Sequence, residues 1–143
     1  MKINLNLKLK SELELKETIL TPKKRDDREI GILIIEDEKI WRQLYTLNLL
    51  KKTKNKRRKY TFYEALNGRE GIKLIAQHYS QIKVILLDLV MDKMEGMEVL
   101  KLLIDQWGFL NLGIFILTAY GTEETMVASQ LRGVRGFYDK NNL

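Results

Sequence analysis

An α/β fold, in which a parallel sheet carries helices on both faces, is the class this sequence predicts, and three observations predict it. Short apolar runs rich in branched residues occur five times, separated by polar segments whose apolar residues recur at helical spacing. The inner runs are continuous rather than alternating, as strands covered on both faces should be. The residues able to do chemistry sit at the ends of these runs, where parallel sheets bind their ligands.

The elements follow in order. "IGILII" (30–35) reads as a covered strand, and "EKIWRQLYTLNLLKK" (38–52) carries Ile40, Trp41, Leu44 and Leu47 at helical spacing, so that face is expected on the sheet. "YTFYEAL" (60–66) is aromatic and β-prone. "NGREGIKLIAQHY" (67–79) opens on a turn pair and places Ile72, Ile75, Ala76 and Tyr79 on one side of a helix. "IKVILLD" is a third strand, "GMEVLKLLIDQW" (96–107) a helix, and "LGIFILTA" (112–119) a fourth strand. "TEETMVASQLR" (122–132) fits a helix capped by Thr122, and "GFYDK" (136–140) a brief fifth strand. Strands alternating with helices imply βαβ units, whose right-handed crossovers give a parallel sheet.

A chain of 143 residues with 45% hydrophobic content has room for one core plus an appendage, here divided into an extension and linker (1–29) and a domain (30–143). Cysteine is absent, which removes disulfides and thiolate chemistry, and the single histidine, His78, cannot build a multi-histidine site. Any metal must be held by oxygen. No apolar run reaches the roughly 18 residues of a membrane span, and the N-terminus lacks a signal-peptide core, so a cytoplasmic protein is expected. The net charge of +6 is local: "KKTKNKRRK" (51–59) holds seven basic residues, and the remainder of the chain sits at −1. A solvated loop explains that patch. No aromatic lies within it to stack on a base, so Lys51 to Lys59 is only a weak hint of nucleic acid.

The strand ends bring together Glu36 and Asp37, Asp88, Thr118 and Lys140. Crowded carboxylates stay ionised only beside a cation, and an oxygen-only cluster suits Mg²⁺, which also prefers phosphate oxygens. A carboxylate there could attack a phosphoryl group to form an aspartyl phosphate, with Thr118 and Lys140 taking further oxygens. Singly, each residue has a plainer reading: Asp88 as a helix cap, Thr118 as a loop hydroxyl, Lys140 in solvent. Their joint occurrence at one end of the sheet favours the chemical reading. Met91, Met94 and Met97 read as core packing, and His78 as a surface residue.

The motifs "ILIIEDE", "ALNGREGIKLI", "LLDLVMDKMEGMEVL", "ILTAYG" and "GFYDK" together resemble the receiver domain of two-component response regulators, from about Ile30 to Lys140. The resemblance implies a flavodoxin-like doubly wound sheet of order 2-1-3-4-5. It also implies Asp88 as phosphoacceptor, Asp37, Glu36 and the Val90 carbonyl around Mg²⁺, Thr118 and Lys140 on phosphoryl oxygens, and Phe137 repacking with Thr118. A histidine kinase or phosphotransfer protein is the implied partner, and the implied role is a signalling switch rather than a metabolic enzyme. Asp92 and Asn141 stand where the family usually has proline; without the second proline Lys140 is expected to be less firmly aimed. Only three residues follow that lysine, so the fifth helix expected of the fold is absent, in a fragment or in a chain that covers this flank otherwise.

These departures keep open a phosphorylation-independent interaction module of the same fold. A hydrolase of the haloacid type would need a second Asp at position 90, which is valine. In the extension, Ile3, Leu5, Leu7, Leu9, Leu13 and Leu15 follow a period of two, which argues for a strand or hairpin, while "SELE" (11–14) spells the capping box of a competing helix. This segment is expected to pack on the domain or on a second copy, making a homodimer.

Overall fold

Five strands and four helices alternate along the described part of the computed structural model, which comprises residues 28–52, 57–91, 95–105 and 112–142. They are β1 (Glu29–Ile35), α1 (Lys39–Lys52), β2 (Lys59–Ala65), α2 (Gly68–His78), β3 (Ile82–Leu87), α3 (Gly96–Asp105), β4 (Gly113–Thr118), α4 (Glu123–Leu131) and β5 (Gly136–Asp139), followed by a 3₁₀ turn at Lys140–Asn142. All four pairings are parallel, in the order β2-β1-β3-β4-β5. The expected class and strand order are thus observed. Residues 1–27 of the extension and linker, Asp92 and Met94 lie outside the described residues, and β1 begins at Glu29, one residue before the expected boundary.

Alternation of side chains across each strand sends β1 into two cores. Leu33 and Ile35 join Ile72 and Ile75 of α2, Leu100 and Leu103 of α3, and Ile85, Leu87, Ile114 and Ile116 in the larger one. Met91 is buried there and Met97 packs against it, as expected for core methionines. Ile32 and Ile34 face the other way, onto Tyr45, Trp41 and Leu49 of α1. Asn67 and Thr122 cap α2 and α4 through their side chains, and the Thr122 cap is reciprocated by Thr125.

The inward face of α1 differs from the expectation. Ile40, Leu44 and Leu47 point away from the sheet, with exposures of 70%, 42% and 58%, and Leu50 joins them. Arg42 and Tyr45 are the residues buried beneath the helix. Of the four residues expected inward Trp41 does pack on the core, together with Tyr45 and Leu49; apolar spacing alone could not separate this stripe from that of Ile40, Leu44 and Leu47. Polar satisfaction separates them: two backbone carbonyls before the helix need a donor, and only the face carrying Arg42 supplies one. His78 also departs from a plain surface residue, since its ring lies 4.5 Å from that of Tyr63.

Candidate functional site

The chain leaves β1 to reach β2 on one side and later returns to β3 on the other, so the loops after β1 and β3 diverge and leave a crevice between them. Glu36 and Asp37 follow β1 and Asp88 follows β3, on adjacent central strands. Thr118 closes β4, and Lys140 begins the turn after β5. Hydrogen bonds extend the strand ladders into the crevice: the Glu36 amide donates to the Ala65 carbonyl and the Asp88 amide to that of Ile35, both at 3.0 Å. The carboxylates are therefore carried by backbone that is still part of the sheet.

Glu36, Asp37 and Asp88 each present a carboxylate oxygen, and these oxygens lie within 4.8 Å of one another. Glu36 and Asp88 are buried, and Asp37 is half-buried. The Lys140 ammonium, 3% exposed, donates to Glu36 and, at 3.2 Å, to Asp88 Oδ2. Lys140 therefore does not reach into solvent. Burial pushes the Glu36 carboxyl up to about 7, against the pull of the Lys140 bond and with the charge of Asp88 adding to the rise. Burial also raises the Tyr45 phenol, and the nearby charges of Glu36 and Asp88 add to it. Asp88 cannot cap α3, which begins eight residues later; its Oδ1 instead accepts a local 3.4 Å bond from the Val90 amide. Thr118 is fully buried and its hydroxyl accepts from the Tyr120 amide at 3.4 Å.

Several residues that shape the site carried no clear signal in the sequence. Trp41 faces the Lys140 ammonium, 5.2 Å from the ring centroid, and stacks on Tyr45. Arg42 reaches back to the loop that bears Glu36 and Asp37. A Cβ on Gly96 would lie 2.0 Å from the Asp88 carbonyl oxygen, so only glycine lets α3 start this close to the loop. At Gly121 a Cβ would meet the Phe137 ring at 2.8 Å and the Thr118 methyl at 3.1 Å. That glycine lets Phe137 and Thr118 pack together. The one signal available for either glycine was its occurrence beside a motif, which does not reveal what approaches it.

Asn141, in place of proline, leaves Lys140 anchored by other means. The Asn141 amide donates to Asp139 Oδ1 at 2.8 Å, and its side chain donates to the Ala119 carbonyl at 3.3 Å. The turn bearing Lys140 is thus tied to the segment after Thr118. The loose aim expected from the sequence is not observed.

The donor set fits a divalent cation. Three hard carboxylate oxygens converge from two loops, burial with the added charge of Asp88 has lifted the Glu36 carboxyl, and one buried ammonium is the counter-charge shared by Glu36 and Asp88. Among the described residues no helix is long and apolar enough to cross a membrane.

A family profile described as the response regulator receiver domain matches residues 32–142. The fold is similar to a signal receiver domain from Vibrio parahaemolyticus, at 25% identity over 78% of each chain with a TM-score of 0.66. It is similar to the chemotaxis protein CheY4 of Vibrio cholerae, at 23% identity over 78% of this chain and 87% of that one, with a TM-score of 0.65. A chain of the CheX–CheY complex with BeF₃ and Mg²⁺ from Borrelia burgdorferi is similar at 22% identity over 78% of each, with a TM-score of 0.59. No curated protein sequence matches.

Proposed function

This chain belongs to the response regulator receiver domain family, and from that premise we propose that Asp88 accepts a phosphoryl group from a histidine kinase or phosphotransfer protein and so works a signalling switch. The observation that carries the proposal is the set of Glu36, Asp37 and Asp88, the first and last buried and Asp37 half-buried, their oxygens within 4.8 Å, with Lys140 bonded to two of them. Mg²⁺ would be held by Glu36, Asp37, Asp88 and the Val90 carbonyl. When bound, it supplies charge neutralisation at the phosphoryl oxygens. A similar fold crystallised with BeF₃ and Mg²⁺ supports Mg²⁺ as the ion.

The chain's own residues perform the rest. Asp88 presents its carboxylate oxygen to phosphorus, and the bond from the donor to phosphorus breaks as the new one forms. Lys140 exchanges its bond to Asp88 for one to a phosphoryl oxygen, and the Thr118 hydroxyl turns to another. Departure of Thr118 from the Tyr120 amide frees volume beside Phe137, which repacks and carries the change to the surface near α4. Outside the site, Ile40, Leu44, Leu47 and Leu50 form an exposed aliphatic stripe on α1, whose first turn borders the site through Trp41. Such a stripe suits a helix of the phosphodonor protein.

The test is labelling by acetyl phosphate with and without Mg²⁺, with Asp88→Asn as control, alongside the spectral change induced by beryllofluoride. Mg²⁺-dependent labelling lost in the control is expected. A wild-type chain that neither labels nor responds would be an interaction module of the same fold, and the phosphoacceptor reading would be wrong.

A further inference from the structure

Arg42 reaches the loop that bears Glu36 and Asp37 and brings a buried charge to it, yet the proposed phosphoryl chemistry does not use it. It lies on the sheet-facing side of α1, 7% exposed. Its Nη1 donates to the Glu36 carbonyl at 2.9 Å and to the Asp37 carbonyl at 3.0 Å. The first bond of the helix ladder runs from the Arg42 amide to Glu38, so these two carbonyls precede the helix and receive nothing from it. On the far side, Nε faces the Glu64 carboxylate of β2 at 3.7 Å, an ion pair too long for a direct hydrogen bond. One planar guanidinium therefore spans α1, the loop after β1, and β2.

We propose that Arg42 is a positioning residue for the metal site: it clamps the two successive carbonyls of Glu36 and Asp37, so that both side chains leave the backbone in the directions that bring their oxygens to Asp88. The inference rests on the reading of these carboxylates as Mg²⁺ ligands. The clamp has a geometric reason to be arginine. A single nitrogen placed rigidly on a planar group can bridge adjacent carbonyls while the opposite edge faces Glu64, whereas a lysine ammonium on a flexible stem has no second edge. Partners in the outer shell that orient metal ligands typically govern affinity by about 10- to 100-fold.

Charge and geometry make opposite claims, and this gives the test its sign. Arg42 is a cation whose guanidinium touches the backbone of the loop that carries two of the three carboxylates, so a purely electrostatic role predicts that removing it tightens Mg²⁺ binding. A positioning role predicts weaker binding. The full chain is titrated with Mg²⁺ while tryptophan fluorescence is followed, Trp41 being next to the site, in wild type, Arg42→Met, Arg42→Lys and Glu64→Gln. Hydrogen exchange of the Asp37 and Glu38 amides is measured in the same proteins without metal. Arg42→Met is expected to raise the Mg²⁺ dissociation constant about tenfold and to speed exchange of both amides, with Arg42→Lys recovering part of each effect. Glu64→Gln, at a half-exposed partner, is expected to raise it about two- to threefold and serves if Arg42→Met fails to fold. Unchanged or tighter Mg²⁺ binding in a folded Arg42→Met protein, or in Glu64→Gln if that is the variant that folds, overturns the proposal. If wild type itself binds no Mg²⁺, the phosphoacceptor reading fails on its own, and the clamp is then judged by amide exchange, where an unchanged rate overturns it.

Discussion

Replacement of Lys140 by methionine isolates the electrostatics of the crevice. The methionine keeps most of the buried volume and removes the ammonium bonded to Glu36 and Asp88. Breaking a buried ion pair from one side costs about 3–5 kcal/mol, because the remaining charge is left in a poor solvent. Here the loss depends on pH, and its sign follows from Glu36. Its folded-state value of about 7 lies above the unfolded 4.5, so the native state binds the proton more tightly. The associated stability is present below the unfolded value and is lost as pH rises through about 7, by about 3 kcal/mol at most. Without Lys140 the carboxyl rises further. At about pH 6 Glu36 takes up a proton, one of the stranded charges disappears, and the variant is expected to lose about 1–2 kcal/mol against wild type. At about pH 8 the loss is expected to approach 3–5 kcal/mol. Millimolar Mg²⁺ should narrow the gap at the higher pH, since a divalent cation then occupies a site with one positive charge fewer. Urea unfolding at the two pH values, with and without Mg²⁺, measures all four quantities. Equal losses at both pH values, or a gap that Mg²⁺ leaves untouched, would refute the reasoning.

Further outcomes are expected. Glu36→Gln removes the titrating group, so the metal-free protein should lose its fall in stability between about pH 5 and pH 8, read by thermal melts, while its Mg²⁺ affinity drops. Gly96→Ala forces a methyl against the Asp88 carbonyl; it should destabilise by about 1–3 kcal/mol or more and slow acetyl phosphate labelling beyond what the loss of folded protein explains. Leu33→Ala, at a fully buried position of the larger core, should cost about 2–5 kcal/mol in urea titrations. Leu44→Glu with Leu47→Glu should leave stability within about 0.5 kcal/mol per site. It should also leave acetyl phosphate labelling intact while slowing transfer from a protein donor. Equal slowing with both donors would argue against α1 as the docking face.

The five strands and the residues at their carboxyl ends were legible because each rests on a local property, whereas the strand order came only from the family resemblance. Branched apolar runs mark strands, helical spacing marks crossovers, and chain direction alone puts Glu36, Asp37, Asp88, Thr118 and Lys140 at one end of a parallel sheet. The face of α1 was not legible: two apolar stripes share one helix, and the choice between them goes with the carbonyls of a loop that Arg42 reaches from the inside. Nor was the aim of Lys140, because the usual proline was missing and the substitutes, Asn141 on Ala119 and Trp41 on the ammonium, join segments far apart in the chain.

The tight approaches at Gly96 and Gly121 belong to the same class, since what an absent side chain makes room for lies on another element. By itself, then, the sequence determined which groups meet, through periodicity and topology. Only the tertiary structure decided how they are held, because hydrogen bonds, ring contacts and burial are set by neighbours brought together after the chain has folded.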